Sequence, residues 1–555
     1  MTVSTFKPSA RRLALLGVGA VLYAAPILQP RLAALAFVAT IPWLLFILSP
    51  NLQSREQSPL WFLSLIYAIG LLSVSWLSSF SIAAWLISPL FYVPLFLPTH
   101  YVTRELRATW STLPLSVIWG LSLTGTEWLR IRISPGEIPF CQLGASLVPF
   151  SKLIQIADVA GSSALTTIAA VAAGFAADVY SFSVTSSQRR VRLGGSAAVV
   201  LVVFSLAIGY GFRNDRVSTF SAGPKVEVIQ TNMPGWGDEV SSRLKFQRAV
   251  DLTLANKPQS DVDLVIWPEN SVIPPPDGSD SSLKDPESAV TSLARDIGVP
   301  ILYDGPFDRQ GLSERHRAVL VQPDGSVTAY AKQLLVPWSE YAPFEPTLRS
   351  MSPTTADKYL SFVQSRNPFF AATRVEDNHS LTTFRYRGRN GQLLIFGSPI
   401  CYEILSPRLV NRWYAVLGKD ELQHFFLINQ VNEILIGRSV HMQTLAFCRL
   451  RAVEGRVSVI RAANNGISAA IDPNGRVYDL LVDSTSGSPV DVPGVLYPRV
   501  MIDARAGRTF YARFGDWWPI TCLLSSITLI LFGWVRSRWL RLKRTHVLER
   551  PKIDL

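Results

Sequence analysis

Residues 393–403 read LLIFGSPICYE: an apolar run ends at Ser-Pro, and Cys401 lies two residues after the proline. The run predicts a buried β-strand, and the proline stops it. The stretch DLVIWPE (263–269) has the same form and ends on Glu269, and a third run is followed by Lys332. A thiol, a carboxylate and an ammonium group therefore each follow a predicted strand, which is where α/β folds gather their sites.

Short apolar runs with turn sequences between them continue across residues 225–505. The further predicted strands are 226–232, 300–305, 318–325, 425–430, 457–466 and 467–475, and the predicted helices are 240–257 and 438–455. Several strands are apolar throughout, which favours a sheet covered on both faces and hence an α/β sandwich. The polar segment 345–391, rich in Ser, Thr and Arg, predicts a long surface loop.

The rest of the chain is far more apolar. Hydrophobic residues make up 48% of the 555 residues and charged residues only 17%, which indicates a membrane protein. A bilayer core needs about 20 apolar residues per helix. We expect eight spans, at roughly 12–28, 32–49, 59–78, 80–98, 110–129, 160–181, 193–212 and 516–535. This predicts seven helices in 1–215, an extramembrane domain in 216–510, and a last helix with a basic tail in 511–555.

Basic residues set the expected orientation. They precede span one and follow spans two, four, six and eight, so the positive-inside rule places the N-terminus in the cytoplasm and 213–515 outside it. The same placement accounts for much of the net charge of +12, and nucleic-acid binding is not expected. Residues 135–152 are apolar but interrupted by Pro and Gly. They fit either a re-entrant segment that guides a lipid or an ordinary loop packed on the helices.

Neither a metal site nor an organic cofactor is implied. The four cysteines form no CxxC pair, and the six histidines form no HExxH pattern. A disulfide framework is equally unsupported, because the cysteines are widely scattered.

Three motifs resemble those of a known superfamily. WPEN (267–270), YAKQLLVPWSEYAPF (330–344) and SPICYE (398–403) resemble the Glu-Lys-Cys motifs of the nitrilase superfamily. Combined with the spans, EWLR (127–130) and the stretch 449–477, they resemble the apolipoprotein N-acyltransferases, the membrane-embedded members of that superfamily. The resemblance implies a polytopic α-helical membrane domain and an αββα sandwich.

The resemblance also implies roles for individual residues. It makes Cys401 the nucleophile that forms a thioester, Glu269 the general base and Lys332 the group that stabilises the oxyanion. Further implied active-site residues are Glu340, Tyr402 and Glu403. Trp236 matches a tryptophan near the substrate entrance, although a packed loop aromatic is an equally good interpretation.

The implied reaction transfers an acyl chain from a phospholipid to the N-terminal amine of a diacylated apolipoprotein, at the periplasmic face of a bacterial inner membrane. Segments 429–437 and 316–317 depart from the family pattern and leave substrate preference open. A membrane-bound amidase that hydrolyses its thioester is the alternative. A lipid-binding scaffold would not need all three reactive groups, and a transporter is disfavoured because the spans hold few charges.

Overall fold

Helices make up the N-terminal part of the chain. The computed structural model describes residues 10–48, 58–79, 81–180, 186–214, 220–233, 239–256, 261–272, 286–305, 316–366, 381–389, 391–434, 437–503 and 507–548. The first helices are α1 Ala10–Leu28, α2 Ile41–Leu48, α3 Ser58–Ser73, α4 Ile82–Tyr92, α5 Leu97–Thr109, α6 Leu115–Ile133, α7 Ala157–Ala160, α8 Ser162–Tyr180 and α9 Ser186–Asn214. Short 3₁₀ helices connect several of them, and Pro30 and Pro94 lie in the first turn of two, where a missing N–H costs little.

The second part of the chain alternates strands and helices. Its helices are α10 Glu239–Asn256, α11 Pro286–Ile297, α12 Glu345–Met351, α13 Pro353–Arg366, α14 Pro407–Val416, α15 Lys419–Leu422 and α16 Ser439–Gly455, followed by α17 Phe510–Phe514 and α18 Trp517–Leu548. Its strands are β1 Phe220–Gln230, β2 Leu264–Ile266, β3 Ile301–Gly305, β4 Arg317–Val321, β5 Val327–Ala331, β6 Phe384–Arg387, β7 Leu393–Gly397, β8 Phe425–Val431, β9 Val459–Ala463, β10 Ala469–Ile471, β11 Val477–Leu480, β12 Gly494–Leu496 and β13 Arg499–Asp503.

Five helical segments in the described part of the chain are long and apolar enough to cross a membrane. They are Pro30–Leu48, Ile82–Thr109, Ser162–Tyr180, Arg190–Asn214 and Trp517–Leu540. The predicted count of eight is therefore not confirmed. Of the other three predicted spans, two correspond to the shorter apolar helices Leu13–Leu28 and Pro59–Ser73, and the third to α6, which carries three charged residues.

Helix α6 lies at the centre of this bundle, against α5, α8 and α18. Small residues allow the close contacts: a Cβ on Gly125 would lie 2.7 Å from the backbone of Leu523 in α18. The carboxylate of Glu127 is buried, and it accepts hydrogen bonds from Thr166 Oγ1 at 2.6 Å and from the backbone N–H of Leu143 at 3.0 Å. Glu127 therefore ties the segment 135–152 to the bundle. Among the described residues, Glu127 forms no direct ion pair with Arg130 of the same helix.

Two sheets form the core of the second part of the chain. The first has the order β12-β1-β2-β3-β4-β5, with β13 also paired to β1, and the second has the order β11-β10-β9-β8-β7-β6. In each sheet the three central strands are parallel, β1-β2-β3 in one and β7-β8-β9 in the other, and antiparallel strands flank them. Parallel neighbours need helical crossovers, and α10, α11, α14 and α16 occupy those positions along the chain.

The sheets face one another and are covered by helices on their outer sides. On β1, Val226 and Val228 belong to the core shared with the second sheet, whereas Ile229 packs in a separate core with Ala249 of α10 and Val290 of α11. This alternation is the period-2 pattern of a strand buried on both faces. The predicted αββα sandwich is confirmed.

One local prediction is wrong. The segment 345–391 is not a surface loop throughout, because it contains α12, α13 and β6. Both helices are amphipathic surface elements with many exposed polar residues, so their composition resembles that of a loop. Residues 367–380 and 390 lie outside the described residues.

The sandwich is joined to the helical bundle by buried polar contacts. Arg456, just after α16, donates from Nη2 and Nε to Asp158 of α7 at 2.7 and 2.9 Å, and from Nη1 to Gln155 Oε1 at 2.6 Å. Both charged side chains are only 10% exposed. A buried pair of this kind fixes the orientation of its partners, because any other packing would leave a buried charge without a counterion.

Candidate active site

The backbone that carries Cys401 leaves β7 at Gly397 and turns sharply. Cys401 has a φ of +49°, in the left-handed region that is unfavourable for residues with a side chain, and it opens the 3₁₀ helix Cys401–Leu405. Asn429 of β8 holds this turn, because its amide donates to the carbonyl oxygens of Pro399 at 2.8 Å and of Cys401 at 3.3 Å. Cys401 is partly exposed, whereas the other three cysteines are buried.

Glu269 lies just beyond the carboxyl end of β2 and is 2% exposed. Its Oε2 accepts a hydrogen bond from the backbone N–H of Asn432 at 2.8 Å, and its Oε1 lies 3.2 Å from Lys332 Nζ. Asn432 follows β8 in the second sheet, so this carboxylate bridges the two sheets. Both oxygens have a donor, which fixes the carboxylate in one orientation.

Lys332 follows β5 and is buried between two carboxylates. Its ammonium lies 2.7 Å from Glu340 Oε1 and 3.2 Å from Glu269 Oε1. The second oxygen of Glu340 accepts from the backbone N–H of Val336 at 2.8 Å, so Glu340 also closes the loop that follows the lysine. The structure therefore brings together Glu269, Lys332 and Glu340, residues separated by up to 71 positions in the sequence.

The charges of this cluster depend on one another. Burial would lower the pKa of Lys332, but Glu340 and Glu269 outweigh it and hold that pKa well above its ordinary value. Burial would raise the pKa of Glu340, yet Lys332 outweighs it and lowers that pKa. For Glu269 burial prevails over Lys332, so its pKa is raised. The contacts thus favour the charged forms of Lys332 and Glu340, and they let Glu269 take up a proton more readily than an ordinary carboxylate.

The thiol of Cys401 is neutral at rest. Burial raises its pKa well above the ordinary value, and the carboxylate of Glu269 adds to the effect through its charge and as a hydrogen-bond acceptor. Lys332 acts in the opposite direction but does not prevail. Cys401 can therefore act as a nucleophile only if Glu269 takes its proton while attack occurs.

Glu403 connects the lysine loop to the nucleophile loop. Its Oε1 accepts from Tyr330 Oη at 2.9 Å and from the backbone N–H groups of Gln333 and Leu334 at 2.6 and 3.0 Å. Its Oε2 accepts from the N–H of Ile400 at 2.8 Å. Burial raises the pKa of Glu403 to about 7, although these backbone donors oppose the shift. Glu403 thus holds the loop after Lys332 and the loop before Cys401 together.

Tyr402 lies in the 3₁₀ helix that Cys401 begins. It is 8% exposed, and its hydroxyl has no hydrogen-bond partner within the described ranges. Trp236, the proposed entrance residue, lies outside the described residues. Residues 435 and 436 of the segment 429–437 also lie outside the described residues.

Several further residues support the site, and the sequence motifs did not indicate a role for them. Asp304, the penultimate residue of β3, accepts from the backbone N–H of Asn270 at 2.8 Å and lies 3.2 Å from His316 Nδ1. Burial would lower the pKa of His316, but Asp304 outweighs it and raises that pKa to about 9. Asp304 ends a buried parallel strand, the same signal that drew attention to Glu269. Asn429 and Asn432 were noted only as departures from a pattern.

The arrangement suits acyl transfer through a thioester. A carbonyl carbon that approaches Cys401 would place its oxygen where Lys332 can stabilise negative charge, and Glu269 could take the thiol proton. Within the described residues, no group of three or more His, Cys, Asp or Glu side chains has the spacing of a metal site.

Two family models match successive parts of the chain. Residues 19–175 match the family model for the apolipoprotein N-acyltransferase N-terminal domain, and residues 225–487 match that for carbon-nitrogen hydrolase. In structure the chain is similar to an amidase from Nesterenkonia sp., with a TM-score of 0.35 and 16% identity over 51% of this chain and 92% of that one.

Curated relatives match over most of their length. The chain is 25% identical to apolipoprotein N-acyltransferase 2 of Treponema denticola, covering 71% of this chain and 72% of the relative. It is 26% identical to the apolipoprotein N-acyltransferase of Geobacter metallireducens, covering 83% and 82%, and 24% identical to that of Nostoc sp., covering 90% and 94%. With both family models placed in order along it, the chain belongs to the apolipoprotein N-acyltransferase family of the nitrilase superfamily.

Proposed function

We propose that this protein moves an acyl chain from a membrane phospholipid, through a thioester on Cys401, to the N-terminal amine of the diacylglyceryl-cysteine of apolipoproteins. The observation that carries the proposal is the buried cluster of Glu269, Lys332 and Glu340 beside a partly exposed Cys401, in a sandwich joined to apolar helices. The names of the relatives supply the acceptor class.

In the first half-reaction the Cys401 sulfur attacks the ester carbonyl of the phospholipid, and Glu269 takes the thiol proton. The tetrahedral oxyanion is held by Lys332, and one such donor is worth roughly 3–4 kcal/mol. Collapse breaks the C–O bond, and Glu269 returns the proton to the departing alcohol of the lysophospholipid. An acyl thioester remains.

In the second half-reaction the acceptor amine attacks the thioester. Glu269 takes a proton from the amine nitrogen, Lys332 again holds the oxyanion, and the C–S bond breaks. The thiolate recovers the proton from Glu269. The products are an amide and free Cys401, so the enzyme returns to its starting state.

The position of the site suits substrates that stay in a bilayer. Extraction of an acyl chain into water costs about 0.8 kcal/mol for each CH₂ group exposed. A sandwich seated on the bundle through Asp158 and Arg456 avoids this extraction, because the lipid ester can reach the site from the membrane.

We also propose the boundaries 1–215, 216–510 and 511–555 for the membrane helices, the catalytic domain and the last helix with its tail, with the sandwich on the periplasmic side of the inner membrane. The supports are the positive-inside asymmetry and the packing of α6 between helices that are long enough to cross. A membrane-impermeant maleimide on spheroplasts tests this. Ser484→Cys, in an exposed turn of the sandwich, should react, and Ser111→Cys, between α5 and α6, should react only after lysis.

The chemistry is tested by incubating the purified protein in detergent with a phospholipid and recording its intact mass. The wild type should gain an acyl group that hydroxylamine removes, and Cys401→Ala should gain none. Cys522→Ala is the matched control, because that cysteine is buried in α18, away from the sandwich, and its loss should leave the adduct unchanged.

A diacylated lipopeptide should then discharge the adduct into a triacylated product. Discharge to free fatty acid with or without lipopeptide would instead identify a hydrolase of the amidase type. Absence of any adduct on folded protein with bound lipid would refute the phospholipid as donor.

A further inference from the structure

A short segment from the helical bundle reaches the loops around the active site. It follows α6 and comprises Pro135–Glu137, in which Gly136 has a φ of +69° and Glu137 a φ of +53°. Gly136 packs on the ring of Pro337, in the loop after Lys332, so closely that a Cβ would collide with it. Two successive left-handed residues turn the chain so that Glu137 faces the nucleophile loop.

Glu137 holds the far end of the 3₁₀ helix that Cys401 begins. Ser406, the residue after that helix, donates from Oγ to Glu137 Oε2 at 2.6 Å. The same Oγ accepts from the N–H of Leu409 at 3.2 Å and so caps α14. Arg408 Nη1 lies 3.4 Å from Glu137 Oε1 as well.

The other side of Glu137 is anchored in the bundle. Its Oε1 lies 2.7 Å from Nη1 of Arg132 in α6. The second arm of Arg132 pairs with Asp516, just before α18, and Asp516 also accepts from Trp128 Nε1 at 2.9 Å. Polar contacts therefore run without a gap from the start of α18 through Arg132 and Glu137 to Ser406.

The two ends of the nucleophile helix are thus held by different parts of the molecule. Glu403 fixes its first end at Ile400 from within the sandwich, and Glu137, which follows α6, fixes its last end from the helical bundle. The ion pairs are partly exposed, with Arg132 at 21% and Glu137 at 17%, so their contribution to overall stability is modest. Their effect lies in geometry, since a five-residue 3₁₀ helix is short enough for a shift at Ser406 to move Cys401.

We infer that Glu137 is a positioning residue for Cys401, which makes the orientation of the nucleophile depend on the seating of the sandwich on the bundle. The inference rests on the proposed function for its effect on acyl transfer. A misplacement of 1 Å can cost roughly a hundredfold in rate, and a partial release of one end should cost about tenfold.

The test compares Glu137→Ala, Glu137→Gln, Ser406→Ala and the Glu137→Ala/Ser406→Ala double variant with the wild type, in the full-length protein. Glu421→Gln is the matched control, because Glu421 forms a similar pair with Arg385 at 2.9 Å, away from the nucleophile. Three quantities are measured: the rate of acyl adduct formation against phospholipid concentration, the rate of Cys401 alkylation by iodoacetamide across pH, and the thermal midpoint.

We expect Glu137→Ala to lower the maximal acylation rate about tenfold with little change in the half-saturating phospholipid concentration. Glu137→Gln, which keeps one acceptor oxygen, should fall between it and the wild type. The double variant should lose less than the two single losses combined, because both changes break the same Glu137–Ser406 contact. The alkylation profile of Cys401 should shift in Glu137→Ala and not in Glu421→Gln.

Wild-type acylation and alkylation rates in Glu137→Ala would overturn the inference. So would a loss that vanishes once rates are corrected for the folded fraction, since that is the signature of a merely structural contact. If the wild type itself forms no adduct, the proposed function fails, and the alkylation profiles still decide whether Glu137 positions Cys401.

Discussion

Replacing Lys332 with methionine removes an ammonium group that contacts two buried carboxylates. Lys332 Nζ lies 2.7 Å from Glu340 and 3.2 Å from Glu269, and all three side chains are at most 5% exposed. Methionine has a similar length and leaves no large cavity, so the change tests the charge rather than the packing.

The expected loss of stability comes from the two carboxylates that remain without their cation. Removing one partner of a buried ion pair costs about 3–5 kcal/mol, because the remaining charge has no counterion in a poorly solvated site. At about 2–4 °C for each kcal/mol in a domain of this size, the thermal midpoint should fall by about 10 °C.

The fall should depend on pH, and its sign can be worked out. Without Lys332, burial raises the pKa of both Glu269 and Glu340 above their unfolded values. An acid with a raised pKa is protonated more readily in the folded state, so the variant loses stability as pH rises. The deficit should be small at pH 5 and largest at pH 8. Adding Glu340→Gln should recover about half of it, because one stranded charge is removed, while the adduct on Cys401 remains absent.

Differential scanning fluorimetry in detergent at pH 5 and pH 8, with intact mass for the adduct, measures both effects. A midpoint for Lys332→Met within 2 °C of the wild type at pH 8 would refute the electrostatic reasoning. So would a double variant less stable than Lys332→Met alone. Acylation at the wild-type rate in either variant would remove Lys332 from the proposed mechanism.

Three further predictions concern other buried charges. Burial raises the pKa of Glu227 on β1 to about 8, so stability should fall by about 3 kcal/mol between pH 4 and pH 7, and Glu227→Gln should flatten this fall in thermal melts. Glu403→Gln exchanges an acceptor for a donor facing the N–H of Ile400. It should lower the free energy of unfolding by about 1.5–3 kcal/mol and slow adduct formation about tenfold. An unchanged rate would contradict the positioning role of Glu403. Asp158→Asn leaves Arg456 without its anion and should cost about 3–5 kcal/mol; equal resistance to limited proteolysis in mutant and wild type would show that this contact does not hold the sandwich on the bundle.

The alternation of short apolar runs was enough to predict the sandwich, because central parallel strands are buried on both faces and show as continuous apolar sequence. The flanking strands were harder. β5 reads VTAYA with mostly half-exposed residues, and β6 alternates buried and exposed positions over only four residues. Their assignment depends on pairing with a distant strand, which local composition does not record. Helices α12 and α13 were missed for a similar reason, since their surfaces are polar.

For the active site, the sequence indicated the candidate residues but not the contacts that position them. The position of Glu269, Lys332 and Cys401 after strands predicted that they converge, and the structure places the first two in contact. Their catalytic roles stay predictions. The four acceptor contacts of Glu403 connect positions up to 73 residues apart, and Glu137 meets Ser406 across 269 residues. Contacts at such separations are set by the packing of the two sheets and the bundle, and no local pattern reveals them.

The charges of the cluster help to keep the Cys401 thiol protonated in the resting protein. With Lys332 positive and both glutamates ionised, the site carries one net negative charge before the thiol is considered. A resting thiolate would add a second negative charge in a buried place, which is why the pKa of Cys401 is raised. When the thiol proton moves to Glu269, the negative charge passes from that carboxylate through sulfur to the carbonyl oxygen, and the net charge stays the same. We therefore propose that this step becomes favourable only with a carbonyl beside Lys332, so that the substrate itself generates the nucleophile.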